Sequence, residues 1–380
     1  MVLSEQQRQV RDMAADYAAR AIAPRSREFE AAGAIPAEVL AEMGELGFMG
    51  MTVAAEHGGA ALDYVSYALA LIEIAAADGG LSTLMSVNNA PVCAILESIG
   101  TDAQRANYLR PLASGRLVGA FALTEPGAGS DASALRTTAR RVPGGYRLNG
   151  TKQFITSARC AGVTIVFAVT DAAQGKRGIS AFLVPAGSAG LAVSRLEDKL
   201  GQQSSDTGQL EFTDCFVADE QRLGGEGDGY RIALANLEAG RIGIAAQSVG
   251  MARAALAAAV AYARERTAFG QPIIDHQGVG FRLADLATRL EAATELTLAA
   301  AARKDAGEPC LKEASMAKLF ASETAEAVCS GALQTFGGYG YVRDFPVEKI
   351  YRDVRVCQIY EGTSDVQRLV IARELKSRGV

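Results

Sequence analysis

The stretch Gln358-Ile359-Tyr360-Glu361-Gly362-Thr363-Ser364-Asp365 sets one carboxylate between apolar residues and a small, hydroxyl-rich turn. Val354, Val356 and Ile359 precede it, and an amphipathic run through Val366, Leu369, Val370 and Leu375 follows, so the turn joins two elements that both need burial. A carboxylate held at such a junction loses water, which raises its pKa and makes Glu361 a usable proton acceptor near neutral pH. Gly362 lets the backbone approach a ligand, while Thr363, Ser364 and Asp365 could cap the next helix and offer hydroxyls to a polar group. The competing reading is an N-capped surface helix with Glu361 in water.

Other stretches could hold a ligand. Thr124-Glu125-Pro126-Gly127-Ala128-Gly129-Ser130-Asp131-Ala132 contains G-x-G-x-x-A, yet Pro126 interrupts the entry and a strand-like run follows, which excludes a dinucleotide fingerprint. What remains is a glycine turn whose N–H groups, with Thr124 and Ser130, suit the rim of a flat polar ring or a pyrophosphate. An ordinary interdomain loop is the alternative. Gly337-Gly338-Tyr339-Gly340, with Gln334 one helical turn earlier, repeats that pattern. Arg264, Arg266, Phe269 and Gln277 cluster at another turn, where Arg266 could neutralise a phosphate or simply mark a solvated helix end. Glu238 and Arg241 read most simply as an intrahelical ion pair. The two histidines, His57 and His276, are too few for a His-built metal site or a Ser-His-Asp assignment, so no metal is expected and the chemistry falls to carboxylates or a cofactor.

The elements that must carry these turns follow from pattern. A chain of 380 residues is long for one core. With 49% hydrophobic and 21% charged residues it has ordinary globular composition. A net charge of −5 and no run of basic residues argue against nucleic acid or an anionic membrane as partner. No apolar stretch of the ~18 residues needed for a span is expected. Six scattered cysteines without C-x-x-C point to a reducing compartment. Ser4-Glu5-Gln6-Gln7 opens a helical pattern in capping-box fashion without a signal-peptide core, so the expected location is cytoplasmic, or the mitochondrial matrix had a transit peptide been removed.

Apolar residues at threes and fours, Val10, Met13, Tyr17 and Ile22 first, predict an all-helical domain over residues 1–118. Short apolar runs separated by turn residues predict an antiparallel β-domain over 119–228, with Asn149-Gly150 as a tight hairpin turn. Residues 229–380 return to long helices broken near Gly270-Gln-Pro272, Gly307-Glu-Pro309 and Gly337-Gly338, which predicts a four-helix bundle. The class is α+β, mostly α.

Taken together, Phe121–Asp131, Phe154-Ile155-Thr156, Leu237–Arg241, Arg266 to Gln277, Gln334–Gly340 and Tyr360–Ile371 resemble the acyl-CoA dehydrogenase family of flavoenzymes in order and spacing, most nearly its short-chain members. The resemblance spans nearly the whole chain. It implies a helical domain, a β-barrel-like domain and a four-helix bundle around FAD, in a homotetramer built as a dimer of dimers. It also implies FAD contacts from Thr124, Ser130, Phe154, Ile155, Thr156, Gln334, Gly337, Gly338, Thr363, Ser364 and Asp365, with Arg266, Phe269 and Gln277 reaching FAD from a neighbouring subunit. Ser130, Glu238, Arg241, Tyr360 and Gly362 would meet the acyl-CoA thioester and its pantetheine arm.

Some relatives carry the base where this chain has Gly240, which leaves Glu361 to take the α-proton while the β-hydrogen goes to flavin N5. Electron-transfer flavoprotein is the implied acceptor. Phe154 stands where relatives often have Trp, Gln202-Gln203 where many have a basic residue, and Ser82 where dicarboxylate-specific relatives have Arg. A short or short-branched acyl-CoA is therefore expected, with chain length set by how deep Leu84, Val87 and Leu96 reach. The rival readings are an acyl-CoA oxidase passing electrons to oxygen, and a flavin-bearing DNA-binding relative without thioester turnover.

Overall fold

The computed structural model describes residues 1–378. The first helix, Glu5–Tyr17, starts as its capping box requires: the Gln7 N–H donates to Ser4 Oγ at 3.1 Å and the Ser4 N–H to Gln7 Oε1 at 2.9 Å. Val10, Ala14 and Tyr17 are buried along it, whereas Met13, expected on the same face, stays partly exposed. The apolar helix Tyr64–Ala77 lies behind it and packs against the 29-residue helix Leu237–Glu265. One continuous core therefore joins the N-terminal helices to the C-terminal bundle, with Tyr17, Leu71 and Ile74 in the same cluster as Ile242, Val249 and Val328.

Between the helical parts lies one sheet of eight strands: β1 Gly119–Ala122, β2 Thr138–Val142, β3 Gly145–Thr156, β4 Val163–Val169, β5 Ile179–Pro185, β6 Leu191–Leu196, β7 Thr207–Ala218 and β8 Arg222–Leu223. Their order is β6-β7-β3-β2-β4-β5-β8, with β1 added beside β4. The sheet is mixed rather than purely antiparallel, because β1 and β2 both pair β4 in parallel. It also stays open, since β6 and β8 end it without pairing each other.

The hairpin between β2 and β3 turns at Pro143-Gly144, not at Asn149-Gly150. Asn149-Gly150 instead sits inside β3 at a shift of register against β7. There Asn149 and Asp214 exchange hydrogen bonds of 2.9 and 3.1 Å, and a Cβ on Gly150 would lie 2.6 Å from Thr137 Oγ1. The positive φ that Asn-Gly favours serves a bulge here.

Helices Gln277–Asp305, Leu311–Phe336 and Ser364–Arg378 join Leu237–Glu265 in the bundle, with the short helix Val347–Val354 beside them. The breaks fall at the three predicted glycine and proline turns, and Leu283, Leu286, Leu290 and Ala293 face the core. One stretch departs from the expectation of no span-length apolar segment: Gly229–Glu265 contains an 18-residue window of mean hydropathy 1.4, of which 61% is buried. Its apolarity belongs to a helix enclosed by other helices.

A buried charge cluster ties the three parts together. Asp78 caps the helix Gly79–Val87 through the Leu81 N–H at 2.8 Å and accepts from Ser26 and Ser204, each at 2.6 Å. Lys349 in the bundle donates to Asp78 at 3.1 Å and to Asp353 at 2.6 Å, and Asp353 also accepts the N–H of Gln202 from the β-domain. Burial alone would lower the pKa of Lys349, but the two carboxylates drive it well above the usual lysine range. Removing the lysine would leave two buried carboxylates without a counter-charge. Lys349→Met is expected to lower stability by about 3–5 kcal/mol in urea unfolding; an unchanged midpoint would contradict this role.

Candidate active site

Glu361 ends the short turn after the 3₁₀ segment Arg355–Gln358, in left-handed backbone with φ +53, and Gly362 follows at +86. A non-glycine residue pays roughly 1–2 kcal/mol for that conformation, so the surroundings must hold it. Gln367 Nε2 donates to the Glu361 carbonyl at 3.0 Å and to the Gly362 carbonyl at 2.9 Å, and Lys318 Nζ donates to Gly362 at 2.7 Å. The turn aims the carboxylate at Gly240, where an added Cβ would lie 2.7 Å from Glu361 Oε2. Burial raises the Glu361 pKa above its ordinary value, against the lowering pull of the Arg241 and Lys318 charges.

The side chain opens into a cavity of about 470 Å³ between the sheet and the bundle. Its sheet wall is Thr124, Ser130, Phe154, Ile155 and Thr156; its bundle wall includes Arg241, Tyr360, Glu361 and Gly362. Thr83, Ser86 and Val87 of the helix Gly79–Val87 line it too. Of the residues expected to set depth, Val87 lines the cavity, while Leu84 and Leu96 are buried outside its lining. Ser82 is also buried outside it, donating to the Gly79 carbonyl at 2.7 Å.

The glycine turn 127–129 is fixed from below. Lys152, fully buried, pairs with Glu125 at 2.8 Å and donates to the Leu123 carbonyl at 3.1 Å; Glu125 accepts the N–H groups of Arg136 and Thr137. Burial lowers the Lys152 pKa to about 8, with Glu125 opposing. Phe154 has φ +57 beside a register shift between β3 and β7, and the residue is 63% exposed at the cavity.

Several expected residues stand elsewhere. Glu238 and Arg241 do not pair: Glu238 meets Lys304 at 3.5 Å, and Arg241 Nη1 donates to Ser315 at 3.1 Å, because they leave the helix toward different neighbours. Only Arg241 lines the cavity. Arg266, Gly337 and Gly338 line a second, more open cavity of about 670 Å³, with the Arg266 guanidinium 5.8 Å from the centre of the Tyr339 ring. Gln334, Gln277 and Phe269 are exposed, Phe269 by 97%. Thr363 Oγ accepts the Val366 N–H at 3.3 Å, Asp365 points to solvent and pairs with Arg368 at 3.6 Å, and Ser364 Oγ is buried without a hydrogen-bond partner.

Sequence reasoning missed Lys318, Gln367 and Gln247, and singled out Gln202 only as a departure from a basic residue. Gln202 accepts from Thr83 at 2.7 Å, and Gln247 accepts from the Tyr360 hydroxyl, so both position the strip beside Glu361. A signal for Lys318 did exist: it falls on the buried stripe of Ala314, Ala317 and Ala321, where a charge needs a reason. Among the described residues, no group of three or more His, Cys, Asp or Glu side chains could hold a metal ion.

Family models described as the N-terminal, middle and C-terminal domains of acyl-CoA dehydrogenase match residues 4–116, 120–215 and 227–376. The chain is 46% identical to an acyl-CoA dehydrogenase of Bacillus subtilis over 99% of both chains. It is 45% identical to the mitochondrial short-chain specific acyl-CoA dehydrogenase of Mus musculus, over 98% of this chain and 90% of that one. The butyryl-CoA dehydrogenase structure from Megasphaera elsdenii superposes with a TM-score of 0.95 at 40% identity, covering 99% of each chain. This chain belongs to the acyl-CoA dehydrogenase family, whose oxidoreductases bind FAD. An FAD complex of PigA, 30% identical with a TM-score of 0.95 and full coverage of both chains, shares the fold. The residues present fit such a cofactor: a bare aromatic face at Phe154, hydroxyls on the glycine turn, and an unpaired buried donor at Arg241 Nε.

Proposed function

We propose that this protein dehydrogenates a short-chain or short-branched acyl-CoA between its α and β carbons, giving the trans-2-enoyl-CoA, with Glu361 as the general base. The observation that carries the reading is the Glu361 carboxylate, desolvated and facing a cavity whose opposite wall is hydroxyls and a bare aromatic ring. Thr124, Ser130, Phe154, Ile155, Thr156, Thr363 and Ser364 would hold FAD, with Asp365 at the rim. Bound FAD supplies the two-electron oxidant that accepts the β-hydrogen as hydride at N5.

Glu361 takes the α-proton at its carboxylate oxygen, and its raised pKa makes that proton easier to accept. Arg241, with a free Nε–H, would orient the thioester or pantetheine arm together with Tyr360, Gly362 and Ser130. The short-chain preference is supported by the similarity to short-chain relatives and by Thr83, Ser86 and Val87 lining one side of the cavity.

Exposed Phe269, Phe281, Tyr341 and Leu369 support assembly into a homotetramer, in which Arg266, Phe269 and Gln277 of one copy would reach the cofactor of a neighbour and Gln334, Gly337 and Gly338 would complete its site. Electron-transfer flavoprotein is the proposed acceptor, and cytoplasmic location is proposed with it.

Glu361→Gln is expected to keep bound FAD and its spectrum but slow anaerobic flavin reduction by butyryl-CoA at least ~10²-fold. Normal reduction would remove Glu361 from the mechanism. In the wild-type protein, activity should fall with acid through a midpoint above the 4.5 of an ordinary glutamate, because the active form is ionised and its folded pKa is raised. Gly240→Ala should fold and bind FAD, since the flexible end of Glu361 can move aside, yet reduce the rate on the order of 10- to 100-fold by displacing the base. A wild-type rate would show that the carboxylate needs no such room.

A further inference from the structure

Two groups around the Glu361 turn have no part in the mechanism above. Lys318 is completely buried in the helix Leu311–Phe336, and neither it nor Gln367 lines the cavity. Among the described residues no carboxylate lies within ion-pair distance of Lys318, which donates to the Gly362 carbonyl at 2.7 Å. Burying an ammonium without a contacting carboxylate is costly, and a methionine or leucine would fill the same space on this alanine-lined stripe at less cost. A charge kept there has work other than packing.

The geometry names that work. Glu361 and Gly362 take left-handed backbone in succession, and their carbonyls are held from one side by the Gln367 amide and from the other by the Lys318 ammonium. We propose that Lys318 is a positioning residue for the dehydrogenation: it clamps the Gly362 carbonyl to fix the Glu361 side chain, and its charge favours the ionised form of that half-buried carboxylate. The proposal rests on Glu361 being the base.

The charged groups that bear on Glu361 are Arg241 from the helix Leu237–Glu265 and Lys318 itself; the Tyr67 hydroxyl approaches from Tyr64–Ala77, and Arg373 lines the cavity from the last helix. Arg241 is spoken for by Ser315 and faces the cavity, where a ligand would compete for it. Lys318 lies outside the lining, so its influence persists when substrate is bound. Burial brings the Lys318 pKa down to about 8, against the opposing pull of Cys357 and Glu361, and leaves it largely cationic at neutral pH.

The test is the pH dependence of flavin reduction by saturating butyryl-CoA in the FAD-loaded enzyme, for Lys318→Met and Lys318→Gln beside wild type and Glu361→Gln. Losing a neighbouring cation raises a carboxylate pKa, so both Lys318 variants should move the acid midpoint up by roughly one pH unit with KM little changed. Lys318→Met, which loses the clamp as well, should also lower the limiting rate on the order of 10-fold, and Lys318→Gln, which keeps a donor, should lower it less. Should Lys318→Met fail to fold, the midpoint of Lys318→Gln decides alone. A wild-type midpoint in Lys318→Gln overturns the proposal while an inactive Glu361→Gln leaves the base in place; a Glu361→Gln enzyme that reduces flavin normally overturns the base itself.

Discussion

A carboxylate withdrawn from water but kept from protonating is the constraint that shapes the region between sheet and bundle. Glu361 is partly desolvated, and the cations at Arg241 and Lys318 oppose the resulting rise in its pKa. Such a balance depends on where the groups sit, because Coulomb energies vary with distance and are larger where water is partly excluded. The backbone around Glu361 is therefore strained and over-determined: a left-handed residue is followed by a left-handed glycine, with both carbonyls hydrogen-bonded by side chains from two helices.

The wider fold holds this arrangement still. Tyr360 bonds Gln247, Gln202 approaches the same hydroxyl and bonds Asp353, and Asp353 shares Lys349 with Asp78. A chain of buried polar contacts thus runs from the residue before Glu361 to the cap of the helix that lines the cavity. The apolar core shared by N-terminal helices and bundle adds rigidity without direction, whereas the charged junction fixes which groups meet. The sheet enters as a third body through the Gln202–Ser205 loop and presents the other wall of the cavity.

Much of this was legible in the order of residues. The turn at Glu361 declares itself because a lone carboxylate followed by Gly-Thr-Ser between two apolar runs is a local pattern, and the bundle helices show because Leu283, Leu286, Leu290 and Ala293 keep helical spacing. Asn149-Gly150 misled because positive φ suits both a hairpin and a bulge, and only pairing with β7 decides between them. Glu238 and Arg241 misled for a similar reason: their spacing permits an ion pair, but Lys304 and Ser315, brought in by other helices, take each away. The parallel pairing of β1 with β4 joins strands some forty residues apart and has no local signature. Arg266, Phe269 and Gln277 lie away from the Glu361 cavity, with Phe269 almost wholly exposed, and no local pattern tells which surface such residues serve.

The most direct measurement of the central claim is infrared titration of the Glu361 carboxyl stretch, isolated as the difference between wild type and Glu361→Gln across pH. A half-buried carboxylate only partly compensated by two cations should titrate with a midpoint above 4.5, the ordinary glutamate value. A midpoint at or below 4.5 would mean that the side chain is solvated or fully paired, and the account of a desolvated base would be wrong.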